Sequence, residues 1–164
     1  MRNIGKKRTA VETAITSAAE AMRSQKIFQW DETYPNLGVV EADVRSGELF
    51  VVRAEGVSIA AVCLNEKQAQ EYRSLPWQYN AGRSLVVHRL CVHPEWHRRG
   101  IGKFLMDFAE HFGRENNFSS IRLDTYSGNP GAVAFYERLG YQRVGNVRFP
   151  RRDLPFPCFE KIIT

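Results

Sequence analysis

Leu85-Val-Val-His-Arg-Leu-Cys-Val-His-Pro-Glu-Trp-His-Arg-Arg-Gly-Ile-Gly-Lys103 is the stretch that decides how this chain reads. It opens with an apolar, β-branched run, Leu85 to Val92, which predicts a strand. Pro94 ends that run. Gly100-Ile101-Gly102 then leads into Ile101, Phe104, Leu105, Phe108, Ala109 and Phe112, whose spacing predicts an amphipathic helix. Successive N–H groups in a turn between a strand and a helix point one way. The first helical N–H groups lack internal partners, and the helix dipole adds to them. Such a turn binds phosphate. The glycines let the backbone come close to an anion, and Arg98, Arg99 and Lys103 add charge there. Two other phosphate loops are excluded. There is no Gly-x-x-x-x-Gly-Lys-Ser/Thr, and Leu105 stands where a dinucleotide loop needs its third glycine.

Working outward, the Ser120 to Thr125 run predicts the next strand. Asn129-Pro130 opens a helix with Ala132, Phe135, Tyr136 and Leu139 on its apolar face, closed by Gly140. Tyr141 to Phe149 and Phe156 to Ile163 predict two final strands, joined antiparallel across a proline-rich connection. Upstream, Glu48 to Arg53 and Val57 to Leu64 predict a hairpin turning at Ala54-Glu55-Gly56. Asn65 to Ser84 is a polar segment of a length often tied to function. Thr9-Ala-Val-Glu12 has capping-box spacing, and Val11, Ile15, Ala18, Ala19 and Met22 predict a helix over Ala10 to Gln25. A second helix is expected from Pro35 to Gly47, carrying Leu37, Val40 and Val44 inward. The order is α/β with a mixed sheet around a strand-helix-strand unit.

A chain of 164 residues, 43% apolar and 25% charged, fits one globular domain over residues 1–164. Cys63, Cys91 and Cys158 are odd in number and scattered, so no disulfide framework is expected and a reducing cytoplasm is the expected location. Cys63 and Cys91 lie in apolar runs and read as core residues. Met1 to Arg8 is basic, but the Val11 to Met22 segment behind it reads as part of the fold rather than a leader. No apolar run is long enough to cross a bilayer, so no membrane is expected. The net charge of +5 and pI near 9.3 suit any polyanion, and its placement at the glycine loop points to a phosphorylated cofactor.

Leu90-Cys-Val-His-Pro94 followed by His97-Arg-Arg-Gly-Ile-Gly102 resembles motif A of the GNAT acyltransferases. That motif is usually Gln or Arg, two residues, Gly, any residue, then Gly or Ala; His97 departs from it at the first position. Asn129-Pro-Gly-Ala132 with Phe135-Tyr136-Glu-Arg-Leu-Gly-Tyr141 resembles motif B. The resemblance implies the GNAT fold: a mixed, mostly antiparallel central sheet of six or seven strands, about four flanking helices, and a splay between the central parallel strands. It implies acetyl-CoA as cofactor, its pyrophosphate on His97, Arg98, Arg99, Gly100, Ile101, Gly102 and Lys103. The pantetheine arm is expected along Leu90, Cys91 and Val92, where a backbone N–H polarises the thioester carbonyl. Asn129 is expected to hydrogen-bond that arm, and Tyr136 to reach the sulfur and protonate the departing thiolate.

Direct attack on the thioester needs a neutral amine and a group to take its proton. Many family members place Glu on the strand before the phosphate loop. Here that strand holds no carboxylate, and His88 is the candidate base. Serotonin N-acetyltransferases similarly use histidines on this strand. His88, His93 and His97 lack a flanking Cys or Glu pattern, and no metal is expected. Trp30, Tyr34, Trp77 and Tyr126 are candidates to line the pocket for the acceptor, a small-molecule or protein amine. The reading is an N-acetyltransferase acting on a primary amine in a ternary complex. A silent acyl-CoA-binding module, and acetylation of a protein N-terminus or lysine, stand as alternatives. No nucleic-acid motif accompanies the basic residues, so no nucleic-acid partner is expected; the oligomeric state, homodimer included, is open.

Overall fold

The computed structural model describes residues 15–17, 20, 23, 24, 26, 29–31, 33–150 and 152–164. Within the expected first helix, residues 15–17, 20, 23 and 24 are helical. The capping box from Thr9 to Glu12, and Val11, Ala18, Ala19 and Met22, lie outside the described residues.

The described chain forms α1 (Leu37–Arg45), β1 (Leu49–Ala54), β2 (Val57–Asn65), β3 (Ser84–Val92), α2 (Ile101–Glu115), β4 (Ser120–Asp124), α3 (Pro130–Arg138), β5 (Gln142–Val147) and β6 (Phe156–Ile162). Short 3₁₀ turns lie at Gln70–Ser74 and Pro94–Trp96. The strands form one six-stranded sheet in the order β1-β2-β3-β4-β6-β5. The fold is mixed α/β and mostly antiparallel: β1–β2, β4–β6 and β5–β6 run antiparallel, and β3–β4 runs parallel. The parallel ladder is carried by the start of β3, from Ser84↔Ser120 to Val86↔Arg122.

Contacts divide the fold into two compact units, one of Met1–Leu64 with His88–Met106, the other of Asn65–Val87 with Asp107–Thr164. In the first, Ile15, Trp30, Val40, Ala61 and Cys91 form a buried cluster with Leu49 against it. Its β1–β2 hairpin turns through Glu55 and Gly56 at φ 51° and 80°, the pair of left-handed residues that matches strand twist in a two-residue turn. In the second, Leu85, Ile121, Leu123, Phe159 and Ile163 are buried. All three cysteines are buried and unbridged, Cys63 and Cys91 as expected for core residues, and Cys158 as well.

Two expectations about helix faces need correction. α1 is capped by Asn36, whose side chain accepts from Val39 N, so Pro35 precedes the cap rather than opening the helix. Leu37 then falls in the first turn and is 45% exposed, and the inward face is built by Val40 and Asp43. In α2 the buried face is Leu105, Met106, Ala109, Glu110 and Gly113. Its centre is rotated from the stripe read in sequence, which leaves Phe104 59% exposed and Phe108 and Phe112 half-buried at its edge. A stripe about 100° wide tolerates a rotation by one residue without losing its apolar pattern.

Candidate active site

In the first unit the chemistry-bearing residues run along the end of β3 and into α2. His88, Arg89 and Leu90 are half-buried and Cys91 is buried. Arg89 has a left-handed backbone, φ 49°, which interrupts the extended run between His88 and Leu90. An L residue holds such a conformation only where its surroundings fix it. Arg89 is fixed: its Nε and Nη2 donate to the Asp43 carboxylate at 2.7 and 2.6 Å, its Nη1 donates to Tyr34 Oη at 3.0 Å, and Nη2 also reaches Cys63 Sγ at 3.2 Å. Tyr34 is thereby engaged through its hydroxyl, and Trp30 belongs to the core cluster.

Beyond β3, the Pro94–Trp96 turn is capped by His93, whose Nδ1 accepts from Glu95 N at 3.3 Å. The His97 ring nitrogen Nε2 lies 2.9 Å from Val92 O, tying the loop back to the strand end. Arg98 and Gly100 both have left-handed backbones, φ 60° and 76°. Gly100 has open space where a Cβ would be, so glycine is needed there for conformation and not for clearance. Alternation of hand in a turn aims successive N–H groups into one concavity. The helical ladder begins with Phe104 N donating to Gly100 O at 2.9 Å, so the first-turn N–H groups of α2 stand outside it. Arg98, Arg99 and Lys103 are exposed, and the Arg99 guanidinium lies over the Trp96 ring at 4.8 Å. The result is a cationic turn at a helix N-terminus, a geometry that suits an anion.

In the second unit, Asn129 caps α3, its Oδ1 accepting from Ala132 N at 3.2 Å. Tyr136 is the buried residue of α3, with Phe135, Tyr141 and Phe159 around its ring at centroid distances of 5.1, 6.1 and 6.1 Å. Burial, with the nearby charge of Asp124, raises the Tyr136 phenol well above its ordinary pKa. Tyr126 is buried, and its hydroxyl donates to Asp153 Oδ1 at 2.5 Å, which pins the loop before β6. Trp77 is buried, donates from Nε1 to Tyr72 O at 2.8 Å, and lines a cavity of 540 Å³ with Gln68, Tyr72, Arg73 and Arg122.

Sequence reasoning missed Tyr72 and Asp124. Asp124 ends β4, and its Oδ2 accepts from Tyr72 Oη at 2.6 Å. It also missed the pair beneath them. Arg122 and Glu160 are buried and joined at 3.1 Å, while Arg122 donates to Tyr79 O and Gln68 Oε1, and Glu160 accepts from Gln78 N and Tyr79 N. A charged residue inside an apolar strand pattern was the available signal at both Arg122 and Asp124. Among the described residues, a metal-sized group forms at Asp43, Glu48 and Cys63. Arg89 already occupies Asp43, and burial pushes the Cys63 thiol up to about 12.

The acetyltransferase (GNAT) family model matches residues 12–141, from the first helix through both glycine-bearing motifs. The chain belongs to this GNAT acetyltransferase family. It is thus an acyltransferase by family. An uncharacterised N-acetyltransferase of Bacillus subtilis, YesJ, is 25% identical over 136 residues, covering 80% of this chain and 74% of that protein. Among solved structures, a GNAT acetyltransferase from Streptococcus agalactiae aligns with a TM-score of 0.80 at 19% identity, covering 97% of this chain and 91% of that one. A chain of the NatC complex, solved with Gag peptide and CoA, aligns with a TM-score of 0.71 at 15% identity, covering 98% and 92%. At these identities the structural likenesses speak for the fold, and the fold is the one the two motifs implied.

Proposed function

We propose that this chain is an N-acetyltransferase that moves the acetyl group of acetyl-CoA to a primary amine by direct attack, and that residues 1–164 act as one catalytic domain. The observation that carries the proposal is the turn from His97 to Lys103. Left-handed Arg98 and Gly100, an α-helix behind them and three exposed cations make an anion cradle suited to a pyrophosphate. The cofactor reading has support from the similar structure solved with CoA. In this reading the backbone of Leu90, Cys91 and Val92 takes the pantetheine arm, and Asn129 adds a hydrogen bond to it. A backbone N–H of the same strand stabilises the thioester oxyanion. Tyr136 gives its proton to the departing sulfur. For the amine's proton the sequence offers His88, half-buried on β3.

The test couples binding to turnover. Acetyl-CoA with spermidine, tryptamine, lysine and an alanine-ended tripeptide, each assayed for CoA release, should give turnover with at least one. Gly100→Asp places a side chain at a left-handed position and a negative charge against the phosphates, and should abolish both turnover and acetyl-CoA binding. Undiminished binding in that variant would remove the phosphate cradle. Binding without release from any amine would favour a silent CoA-binding module.

A further inference from the structure

Asp124 sits at the C-terminal end of β4, with its neighbours drawn from three other elements. Tyr72 and Glu71 come from the 3₁₀ turn of the long β2–β3 connection, Cys158 stands opposite on β6, and Tyr136 comes from α3. Tyr72 is 2% exposed, Cys158 0% and Tyr136 8%, and Asp124 is half-buried among them, its carboxyl desolvated by these neighbours. One carboxyl oxygen is fixed by Tyr72, whose own place is set by Trp77, 5.0 Å away ring to ring and bonded to its carbonyl. The nearest cation along the strand, Arg122, is committed to Glu160, Gln68 and the Tyr79 carbonyl. Burial, with Glu71 adding to it and Tyr72 opposing, pushes Asp124 up to about 6. A carboxylate so placed is ionised at neutral pH and still a competent proton acceptor.

We propose that Asp124, oriented by Tyr72, is the proton acceptor of the transfer reaction. The inference rests on the acetyl-transfer reading and gives to Asp124 the role the sequence offered to His88. As the amine nitrogen bonds to the thioester carbon, it releases a proton to the Asp124 carboxylate. The carbon–sulfur bond breaks, and the sulfur takes the Tyr136 proton. Asp124 then gives its proton to bulk water and Tyr136 takes one from it, so both groups return to their starting states. The cycle converts a neutral amine and acetyl-CoA into amide and free thiol with no net gain or loss of protons by the protein.

The experiment is the pH profile of kcat, with acetyl-CoA and whichever amine of the panel above turns over at saturation. In the wild type kcat should rise with pH through a group near 6. Asp124→Asn should lower kcat by about 100- to 10,000-fold and remove that limb, with acetyl-CoA affinity unchanged. Tyr72→Phe should move the limb to higher pH, because the bond that favours the carboxylate is gone. His88→Gln should keep the limb. Loss of the limb in His88→Gln, or its survival in Asp124→Asn with kcat within about threefold of wild type, would overturn the assignment. A wild type that binds acetyl-CoA but acetylates none of the amines would count against the acetyl-transfer reading itself. Carboxyl ¹³C titration decides the Asp124 proposal apart from turnover: titration near 6 that rises in Tyr72→Phe supports it, and titration near the ordinary value of about 4 overturns it.

Discussion

Tyr136→Phe keeps a ring against Phe135, Tyr141 and Phe159 and removes one hydroxyl, so it separates packing from proton transfer. We expect kcat to fall by about 10- to 1000-fold with acetyl-CoA affinity unchanged, the range of lost general-acid help. Unaltered kcat with chemistry rate-limiting would return Tyr136 to a packing role. Because its phenol is held well above the ordinary value, the donor stays loaded across neutral pH. Asp124 makes a second, separable forecast for stability. Its folded value, about 6, lies above the ordinary carboxylate value. The stability it contributes is therefore full below pH 4 and is lost as pH rises through 6. Asp124→Asn should melt higher than wild type at pH 8 and match it at pH 4; a lower Tm at pH 8 would show that the carboxylate is net stabilising. Tyr136 stood out as a candidate in the sequence because the Asn129 and Tyr141 landmarks frame it within one short segment. Asp124 and Tyr72 did not, because their bond spans 52 positions and neither local pattern announces the other.

At the scale of elements, the buried Arg122–Glu160 pair joins the sheet to the long β2–β3 connection that carries Tyr72 and Trp77. Arg122 also lies over the Trp77 ring at 4.4 Å. Cutting one side of a buried pair leaves an uncompensated charge and costs about 3–5 kcal/mol. Arg122→Ala should therefore lower Tm sharply and speed amide exchange over Gln70–Trp77, while Arg122→Met combined with Glu160→Leu should cost less than Arg122→Ala alone. An Arg122→Ala variant with wild-type Tm and exchange would show that the connection is held by other contacts. The strands and both C-terminal helices were readable because apolar periodicity and flanking Gly, Pro and Asn agree there. The connection read only as a polar segment, since the groups that hold it, Arg122 and Asp124 of β4 and Glu160 of β6, lie far away in sequence. Leu37 and Phe104 mark the other boundary of legibility. Periodicity fixes that a helix is amphipathic, but which residue stands at the centre of its buried face depends on what packs against it.

At the scale of the whole molecule, the two compact units share two elements of secondary structure. β3 and α2 each begin in one unit and end in the other, so neither unit keeps its elements whole without the other's sequence. That continuity predicts a single unfolding transition. Acetyl-CoA should raise it, because a ligand that binds the native state alone stabilises by mass action, by about 2.7 kcal/mol at one hundred times Kd. For a chain of this size each kcal/mol moves Tm by about 2–4 °C, giving a rise of roughly 5–11 °C. The net charge of +5 offers a competing origin for any such rise, a nonspecific grip on a polyanion. Salt separates them, since surface attraction is screened within about 8 Å at physiological ionic strength. The shift from acetyl-CoA should persist in part at 0.5 M salt and vanish in Gly100→Asp, and arbitrary DNA should give no salt-resistant shift. Amide exchange supplies the last discrimination. If the phosphate turn of one unit and the Asn129–Tyr136 helix of the other serve one cofactor, saturating acetyl-CoA should slow exchange in Ile59–Val62 and in Ile121–Leu123 together. Protection confined to the first unit, or two melting steps of which acetyl-CoA moves one, would separate the cofactor site from Asn129 and Tyr136 and end the single-domain proposal.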